Sequence, residues 1–311
     1  DDILSAELAG TTCVLTHKNE EAFQVAGLLT KYGHQAKLIQ SNDSFSLYNL
    51  AEVRYFLDAL KLDDEVFIIS DDVWGNAKRK LIERYKLSSK FEICNNLIKD
   101  FEGTNTKKKY KSDFEVFIRE SNLEDFISTN GETIFVSTIH KAKGREFDNV
   151  FILLENFDAA KDDKKRQLYV AMTRAKQNLT IHLNGNYLEK FKTEGLERVE
   201  NKDTFEPPNG LALHLSHKDL NLGYFEFIQK RVNALTSGDS ISISEEGCKN
   251  EKGELVLKFS KKFLDKLQEI KNNGFELKAA KVNFIVHWKA QDKEQEVKIV
   301  LPELNFEKIV E

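Results

Sequence analysis

A short polar loop carries the densest set of side chains suited to binding phosphate groups. It spans residues 136–147 (VSTIHKAKGREF). Hydroxyl, imidazole and cationic side chains donate hydrogen bonds to phosphate oxygens, and the loop offers Thr138, His140, Lys141, Lys143 and Arg145. Glu146 is the single acid among them, and Gly144 permits a tight turn and a close approach of a ligand to the backbone.

The segments on either side of this loop have the character of strands. Residues 132–135 (ETIF) form a short β-prone run, and residues 149–154 (NVFILL) form a continuous apolar run of strand length. Such a run is typical of a parallel strand that is covered on both faces. The loop therefore leaves the end of a buried strand, which is where open α/β sheets bind ligands.

A predicted helix follows at residues 167–175 (QLYVAMTRA). Leu168, Met172 and Ala175 recur at the helical spacing and indicate a face that packs on a sheet. Gln167 and Arg174 share the adjacent face, so the pattern predicts that both reach one site. Residues 178–183 alternate and predict the next strand.

Together these two segments resemble motifs V and VI of the UvrD/Rep/PcrA group of superfamily 1 DNA helicases. The first motif is Thr-x-His-x-Ala-Lys-Gly-x-Glu-Phe from Thr138 to Phe147, and the second is Tyr-Val-Ala-x-Thr-Arg-Ala from Tyr169 to Ala175. They occur in the family's order, with strand, loop and helix contexts. A lysine-rich solvated loop beside an ordinary amphipathic helix would explain the charges but not the joint pattern.

The resemblance implies a role for each candidate residue. Arg174 corresponds to the arginine finger that contacts the γ-phosphate of ATP. Nucleotide contacts are implied for Glu146 and Gln167, with Gly144 and Lys143 shaping the loop around them. Contacts with single-stranded DNA are implied for Thr138 and His140, and we expect the neighbouring side chains of Lys141 and Arg145 to join them.

Three positions depart from the family pattern. Arg145 replaces a usual leucine, Lys164 stands where an acid is usual, and Gln167 replaces another leucine. None of these changes removes a catalytic group. Arg145 adds either a phosphate contact or a salt bridge, and the sequence leaves both alternatives open.

Half of the expected ATP site is missing from the chain. The sequence contains no Gly-x-x-x-x-Gly-Lys-Ser/Thr phosphate loop and no Asp-Glu pair after an apolar strand. By the resemblance, the binding site for ATP with Mg²⁺ is completed by an N-terminal RecA-like domain of the same parent protein. The only methionine is Met172, so we expect this chain to be a fragment that is inactive alone.

Composition limits the class of protein. The net charge is −5, from 46 basic and 51 acidic residues, which argues against a chain-wide basic surface for nucleic acid. Cys13, Cys94 and Cys248 are scattered, which predicts reduced thiols in the cytoplasm and no metal site. We find no signal peptide or long apolar span and expect no membrane association.

The pattern along the chain predicts an α/β fold with an added β-rich part. We assign residues 1–60 and 131–200 to a RecA-like parallel sheet with helices on both faces. Residues 61–130 form a helical insertion, which is a much reduced accessory subdomain by the resemblance. Residues 209–311, which follow Pro207 and Pro208, form a small barrel-like β-rich domain, which resembles SH3 or Tudor domains in architecture only.

Local signals fix most of the elements. They predict strands at 12–16 and 36–39 with a helix at 18–32 between them. Residues 65–70 (EVFIIS) suit a strand or a buried helix, and the helical patterns that follow favour the helix.

Two functions are compatible with these observations. The first is the C-terminal motor half of an ATP-dependent DNA helicase or translocase, of 3′→5′ polarity as in the resembled family. The second is a non-enzymatic module that binds DNA or a protein partner, the latter through the C-terminal β-rich domain. Retention of both Arg174 and Glu146 favours the motor.

Overall fold

The computed structural model describes residues 3, 9–32, 34, 36–38, 46–61, 67–121, 123–126, 134–155, 157, 161–200, 210–290 and 293–309. The proline pair at 207–208 and the turn at 130–131 lie outside these residues. By the contacts between residues, the chain divides into two compact units. Unit 1 contains Asp1–Ser41 and Thr129–Leu211, and unit 2 contains Asn42–Ser128 and Ala212–Glu311.

The described α-helices are α1 (Asn19–Lys31), α2 (Ala51–Leu60), α3 (Asp71–Tyr85), α4 (Phe91–Thr104), α5 (Lys111–Glu120), α6 (Asp162–Met172), α7 (Gln229–Asn233) and α8 (Lys261–Asn272). The described strands are β1 (Thr12–Thr16), β2 (Ala36–Leu38), β3 (Ile68–Ile69), β4 (Lys109–Tyr110), β5 (Ile134–Thr138), β6 (Phe147–Leu154), β7 (Ala175–Leu183), β8 (Gly210–His214), β9 (Ser240–Ser244), β10 (Gly247–Lys249), β11 (Leu255–Lys258), β12 (Phe275–Trp288) and β13 (Val297–Lys308).

Unit 1 is built on a five-stranded parallel sheet. The strand order is β2-β5-β1-β6-β7, and every neighbouring pair is parallel. Consecutive side chains of a strand lie on opposite faces, and β1 follows this rule. Cys13 and Leu15 pack with Leu168 and Ala171 of α6, whereas Val14 packs with Ala22 and Leu29 of α1. The sheet is therefore covered by helices on both faces, which confirms the predicted fold class.

The helical insertion belongs to unit 2 and has an aromatic core. Phe56 of α2, Trp74 of α3, Phe101 of α4 and Phe114 of α5 are buried, and their rings are in mutual contact. The rings come from four different helices, so aromatic packing joins three helices of the insertion to α2. The short strands β3 and β4 pair antiparallel beside it.

The β-rich part of unit 2 is a six-stranded sheet in the order β11-β10-β9-β12-β13-β8. Its pairs are antiparallel where the register is defined, and the sheet is curled into a half-barrel. The long pair β12–β13 changes register between Leu277 and Ala279 and again between Val282 and Phe284. Such irregularities bend a strand and increase its twist, which accounts for the curl.

Within unit 2, α2 packs on the β-rich sheet. Leu50 forms a β-bridge with Val286, and Arg54 pairs with Glu296 at 2.8 Å. Glu52 is fully buried, and one of its carboxylate oxygens accepts hydrogen bonds from Ser88 Oγ at 2.5 Å and Ser237 Oγ at 3.0 Å. The contacts thus join residues 42–128 to the β-rich region, whereas the sequence suggested separate domains. The domain boundaries themselves stay a prediction.

Two local predictions are wrong. The favoured helix at 65–70 is contradicted by strand β3 at Ile68–Ile69, which pairs with β4 instead of continuing into α3. The predicted helix 167–175 ends too late, because α6 ends at Met172 and β7 begins at Ala175. Arg174 therefore lies in a turn after the helix. Of the helices that the structure describes, none has both the length and the apolar character needed to cross a bilayer.

Candidate functional site

The loop between β5 and β6 runs from one edge of the sheet in unit 1 to the other. Thr138 at the end of β5 is level with Thr16 at the end of β1, so both lie at the carboxyl edge. Asn149 near the start of β6 is level with Thr12 at the start of β1, which marks the amino edge. Four steps along β1 separate these edges, roughly 13 Å at the rise of a strand. Residues 139–146 therefore cross the length of the sheet.

At the carboxyl edge, Thr138 begins the loop with a tight turn. Its carbonyl oxygen accepts hydrogen bonds from the backbone N–H of Lys141 at 3.0 Å and of Ala142 at 3.1 Å. Ile139 is tied to the neighbouring strand, because its N–H donates to Thr16 O at 3.0 Å. Thr138 is buried and His140 is exposed, so of these two only the imidazole is freely accessible to a ligand.

Gly144 turns the middle of the loop. Its φ of +84° lies in the left-handed region, which glycine adopts without steric cost. Lys143 beside it is exposed, and Arg145 after it is half-buried. The conformation agrees with the role that the sequence predicted for this glycine, whereas a direct contact of Gly144 or Lys143 with a nucleotide stays a prediction.

At the amino edge, Arg174 is bound to the end of the same loop. Its guanidinium donates from Nη1 to Arg145 O at 3.0 Å and from Nε to Val170 O at 2.9 Å. The backbone completes the link, because the N–H of Phe147 donates to Arg174 O at 2.8 Å. Arg145 and Arg174 are thus brought together, and Glu146 lies between them in sequence with an exposed side chain.

Gln167 and Arg174 make contacts with different groups. The side chain of Gln167 is buried and its Oε1 accepts a hydrogen bond from Lys164 Nζ at 3.4 Å, toward the start of α6. Arg174 instead contacts the loop that enters β6. The sequence placed both residues on one helical face, but Arg174 lies beyond the helix end, so the periodicity does not apply to it.

The structure adds a cluster at the carboxyl edge that the sequence did not single out as a site. His17 directly follows β1, and its Nε2 lies 2.8 Å from Lys164 Nζ. The ring of His17 also meets the ring of Phe157 edge-on, with centroids 5.5 Å apart. The position of His17 at a strand end and the replacement of an acid by Lys164 were the available signals. Neither signal shows that the two side chains meet.

Burial lowers the pKa of His17, and the neighbouring charge of Lys164 lowers it further. Lys18 and His140 act in the same direction, and only Glu21 opposes them. The backbone N–H groups of His17 and Lys18 both donate to Glu21 Oε2 at 3.0 Å, so this carboxylate is occupied at the start of α1. A lowered pKa favours the neutral imidazole, whose Nε2 can accept a hydrogen bond from the Lys164 ammonium.

Another pair fixes the amino edge of the sheet. Asp148 Oδ2 accepts hydrogen bonds from both the N–H and the hydroxyl of Thr11, each at 2.8 Å. These bonds lower the pKa of Asp148. Gly10 must have no side chain, because a Cβ there would lie 2.6 Å from Asp148 Oδ2. This pair joins the start of β6 to the residue before β1. Among the described residues, no group of three or more His, Cys, Asp and Glu side chains could hold a metal ion.

Comparison with known proteins agrees with these motifs. Residues 65–186 match the family of UvrD-like helicase C-terminal domains. The chain is similar to the Gabija protein GajB of Bacillus cereus (strain VD045), with 27% identity over 154 residues, which are 49% of this chain and 29% of that protein. It is also similar to the putative ATP-dependent DNA helicase YjcD of Bacillus subtilis (strain 168), with 30% identity over 122 residues, or 34% of this chain and 16% of that protein.

The matched segments are thus less than a third of the length of these relatives. The family match covers β5, the crossing loop, β6, α6 and β7, which carry every candidate residue predicted from the sequence. The predicted resemblance is confirmed: the chain contains a UvrD-like helicase C-terminal domain.

Proposed function

We propose that this chain is the C-terminal motor half of an ATP-dependent DNA helicase or translocase of 3′→5′ polarity. The observation that carries the proposal is the crossing loop, which joins the two edges of the sheet through residues 139–146. One end of this loop carries His140, and the other carries Glu146 beside Arg174. A strand of DNA bound at the carboxyl edge and a nucleotide bound at the amino edge would then act on the same segment.

The two ends of the loop suit different ligands. At the carboxyl edge we assign contacts with single-stranded DNA to Thr138, His140 and Lys141, with the exposed imidazole nearest to solvent. At the amino edge we assign the phosphates of ATP to Arg174 and a further nucleotide contact to Glu146. Arg145 lies at the amino edge, which weakens its assignment to DNA and favours a role beside Arg174.

Arg174 would act as an arginine finger. A planar guanidinium with several donors neutralises the negative charge that develops on a transferring phosphoryl group. In the described arrangement its donors are used by Arg145 O, Val170 O and Thr173 Oγ1. A guanidinium has five N–H groups, so two remain through which Arg174 could reach a phosphate oxygen of ATP carried by a partner RecA-like domain.

The chain's described residues do not fit the Mg²⁺ that accompanies ATP. The carboxylate of Asp148 lies at the amino edge, but it already accepts two hydrogen bonds from Thr11. The described part of the chain offers no cluster of ligands for a cation. We therefore assign Mg²⁺ and the phosphate loop to the partner domain of the parent protein. This chain contributes charge, position and the link to DNA.

A second function is favoured by a specific observation. Because the guanidinium of Arg174 binds its own loop and turn, the residue has a structural role that a non-enzymatic DNA- or protein-binding module would also need. The relatives' names include a putative ATP-dependent DNA helicase, which supports the motor instead.

The two functions differ in a direct experiment. The motor function predicts that the full-length parent hydrolyses ATP faster when single-stranded DNA is added, and that the 311-residue chain alone shows no turnover. A full-length protein with no DNA-stimulated ATP hydrolysis would contradict the motor and leave the binding module. Turnover by the 311-residue chain alone would contradict the assignment of the phosphate loop to a partner domain.

A further inference from the structure

The strongest unassigned feature of unit 1 is the ammonium group of Lys164. It lies at the carboxyl edge, 2.8 Å from the Nε2 atom of His17 and 3.4 Å from the Oε1 atom of Gln167. Both partners are uncharged acceptors. Within the described residues no carboxylate forms an ion pair with Lys164, although its neighbour Lys165 pairs with Asp162 at 3.0 Å.

Further basic side chains lie near His17, the partner of Lys164. His140 and Lys18 both act on His17 as positive groups, and Lys164 does so at closest range. The single acid that acts on His17 is Glu21, whose Oε2 atom is occupied by two backbone N–H groups. The described hydrogen-bond partners of Lys164 are thus two uncharged acceptors, and its positive charge is available to an anion.

The position of Lys164 identifies the class of anion. Lys164 lies in the first turn of α6, next to the ends of β1 and β5 and on the same edge as Thr138 and His140. Glu146 and Arg174, to which we assign ATP, lie at the opposite edge, roughly 13 Å away along β1, whereas the nucleotide contact expected of Gln167 stays a prediction. The phosphate that Lys164 can reach is therefore one in the backbone of a bound polynucleotide.

We propose that Lys164 is a backbone-phosphate contact for single-stranded DNA, positioned by His17 and Gln167. This inference rests on the proposed DNA-binding role of the carboxyl edge. The ammonium of Lys164 also lies over the face of Phe157, 5.8 Å from the ring centroid. Three contacts thus fix one long side chain at the edge, so less conformational entropy is lost when it binds a phosphate.

His17 acts as a positioning residue in this arrangement. A neutral imidazole can accept a hydrogen bond at Nε2, whereas a protonated imidazole donates at both nitrogens and would repel the ammonium. Glutamine at position 17 would keep an acceptor without a titrating group, and leucine would remove it. His17→Gln should therefore retain DNA binding, while His17→Leu should weaken it by releasing Lys164.

The test measures binding of a fluorescent oligothymidylate of about 16 nucleotides to the intact 311-residue chain over a range of salt concentrations. Lys164→Ala should weaken binding about fivefold to tenfold, because one charge-assisted contact is lost. The slope of log K against log salt should become shallower by about 0.7, the value for one phosphate of a single strand. Lys164→Arg should restore both quantities, which a purely structural role of the lysine would not predict.

Lys165→Ala is the matched control. It removes the same formal charge from the next position on α6, but its side chain is exposed and already paired with Asp162. The affinity for oligothymidylate should stay within twofold of that of the unchanged chain. The salt slope should be the same within error. Thermal unfolding of all variants shows whether any loss of binding comes from loss of the fold.

The results separate this inference from the proposed motor. Equal binding and equal salt slopes for Lys164→Ala and the unchanged chain would overturn the role of Lys164. So would a raised KM for ATP in the full-length Lys164→Ala protein with unchanged oligothymidylate binding, because Lys164 would then serve the nucleotide. If DNA binding depended on Lys164 but the parent did not hydrolyse ATP, the phosphate contact of Lys164 would be supported and the proposed motor function would be contradicted.

Discussion

The Nη1 atom of Arg174 donates a hydrogen bond to the carbonyl oxygen of Arg145 at 3.0 Å. This contact joins the turn after α6 to the end of the crossing loop, at the amino edge of the parallel sheet. Any movement of the loop relative to α6 must break or stretch it. Arg174 is therefore both the proposed arginine finger and a structural tie for the segment that the finger would act with.

The structural part of this role predicts a loss of stability. Arg174→Ala removes the hydrogen bonds to Arg145 O and Val170 O, and each such bond contributes about 0.5–1.5 kcal/mol. We expect unit 1 to lose roughly 1–3 kcal/mol in its free energy of unfolding. Hydrogen–deuterium exchange of the β6 and β7 amides measures this loss. Exchange rates identical to those of the unchanged chain would show that the contact is not formed in solution.

The left-handed backbone at Gly144 predicts a second effect on the loop. A Cβ at this position meets no atom within 4 Å, so Gly144→Ala causes no clash, but its φ of +84° is strained for alanine by about 1–2 kcal/mol. Faster exchange should appear in the amides of residues 141–147.

Gly27 provides the control for Gly144. It lies within α1, where a Cβ also meets nothing within 4 Å. Alanine is favoured over glycine inside a helix by roughly 0.5–1 kcal/mol, so Gly27→Ala should slow the exchange of the amides in α1. If both substitutions changed exchange in the same direction, the conformation of the crossing loop would be wrong.

The buried carboxyl of Glu52 predicts a pH dependence in unit 2. Burial raises the pKa of Glu52 above its ordinary value of 4.5, although Ser88 and Ser237 lower it in part. The folded protein therefore keeps this proton over a pH range in which the unfolded chain releases it. The associated stability is complete below about pH 4.5 and declines as the pH rises through the raised pKa.

Fluorescence measures this dependence in unit 2 alone, because both tryptophans of the chain, Trp74 and Trp288, lie there. The difference in unfolding free energy between Glu52→Gln and the unchanged chain should shift in favour of the glutamine as the pH rises. Glu92→Gln, at an exposed position of α4, controls for the loss of one carboxylate. A difference that stays constant with pH would mean that Glu52 is ionised in the folded protein.

Exposed cations on the loop predict a salt effect on DNA binding. Lys143 is exposed and lies between the two edges. Lys141 is a cation of the same loop that we assign to DNA, so Lys141→Ala should weaken oligothymidylate binding and reduce the salt slope by about 0.7, whereas Lys143→Ala, at a position expected to serve the nucleotide, should change neither. With a net charge of −5, the whole chain should show a slope of only a few units. Tight binding that does not change with salt would contradict the proposed DNA contacts.

Local sequence patterns predict strands β1 and β6 of unit 1, but they place the end of α6 too late. The residues of β1 and the apolar run of β6 indicate strands by themselves. Gly144 indicates the turn of the crossing loop in the same way. Residues 65–70 were assigned wrongly, because Ile68 and Ile69 form a strand only by pairing with β4, about forty residues later in the chain. Pairing between distant segments cannot be inferred from a short apolar run.

The candidate site shows the same limit. The motifs located Arg174 and Glu146, but they did not show that the loop crosses the sheet and separates these residues from Thr138 and His140. That separation follows from the register of β5 and β6 on opposite sides of β1. The pairing of His17 with Lys164 also depends on two elements brought together by the fold, so neither residue type indicates it alone.

The most direct test of the motor is DNA-stimulated ATP hydrolysis by the full-length parent with Arg174→Ala. An arginine finger contributes about 10³–10⁵ to the rate of phosphoryl transfer, or about 4–7 kcal/mol of barrier. Lysine lacks the planar fork of donors, so Arg174→Lys should be nearly as impaired. The control is Arg166→Ala, which removes an exposed arginine from the same helix. We predict that Arg174→Ala lowers kcat by orders of magnitude and leaves oligothymidylate binding within a few-fold, while Arg166→Ala changes neither. Hydrolysis by Arg174→Ala within a few-fold of the parent would contradict the motor function.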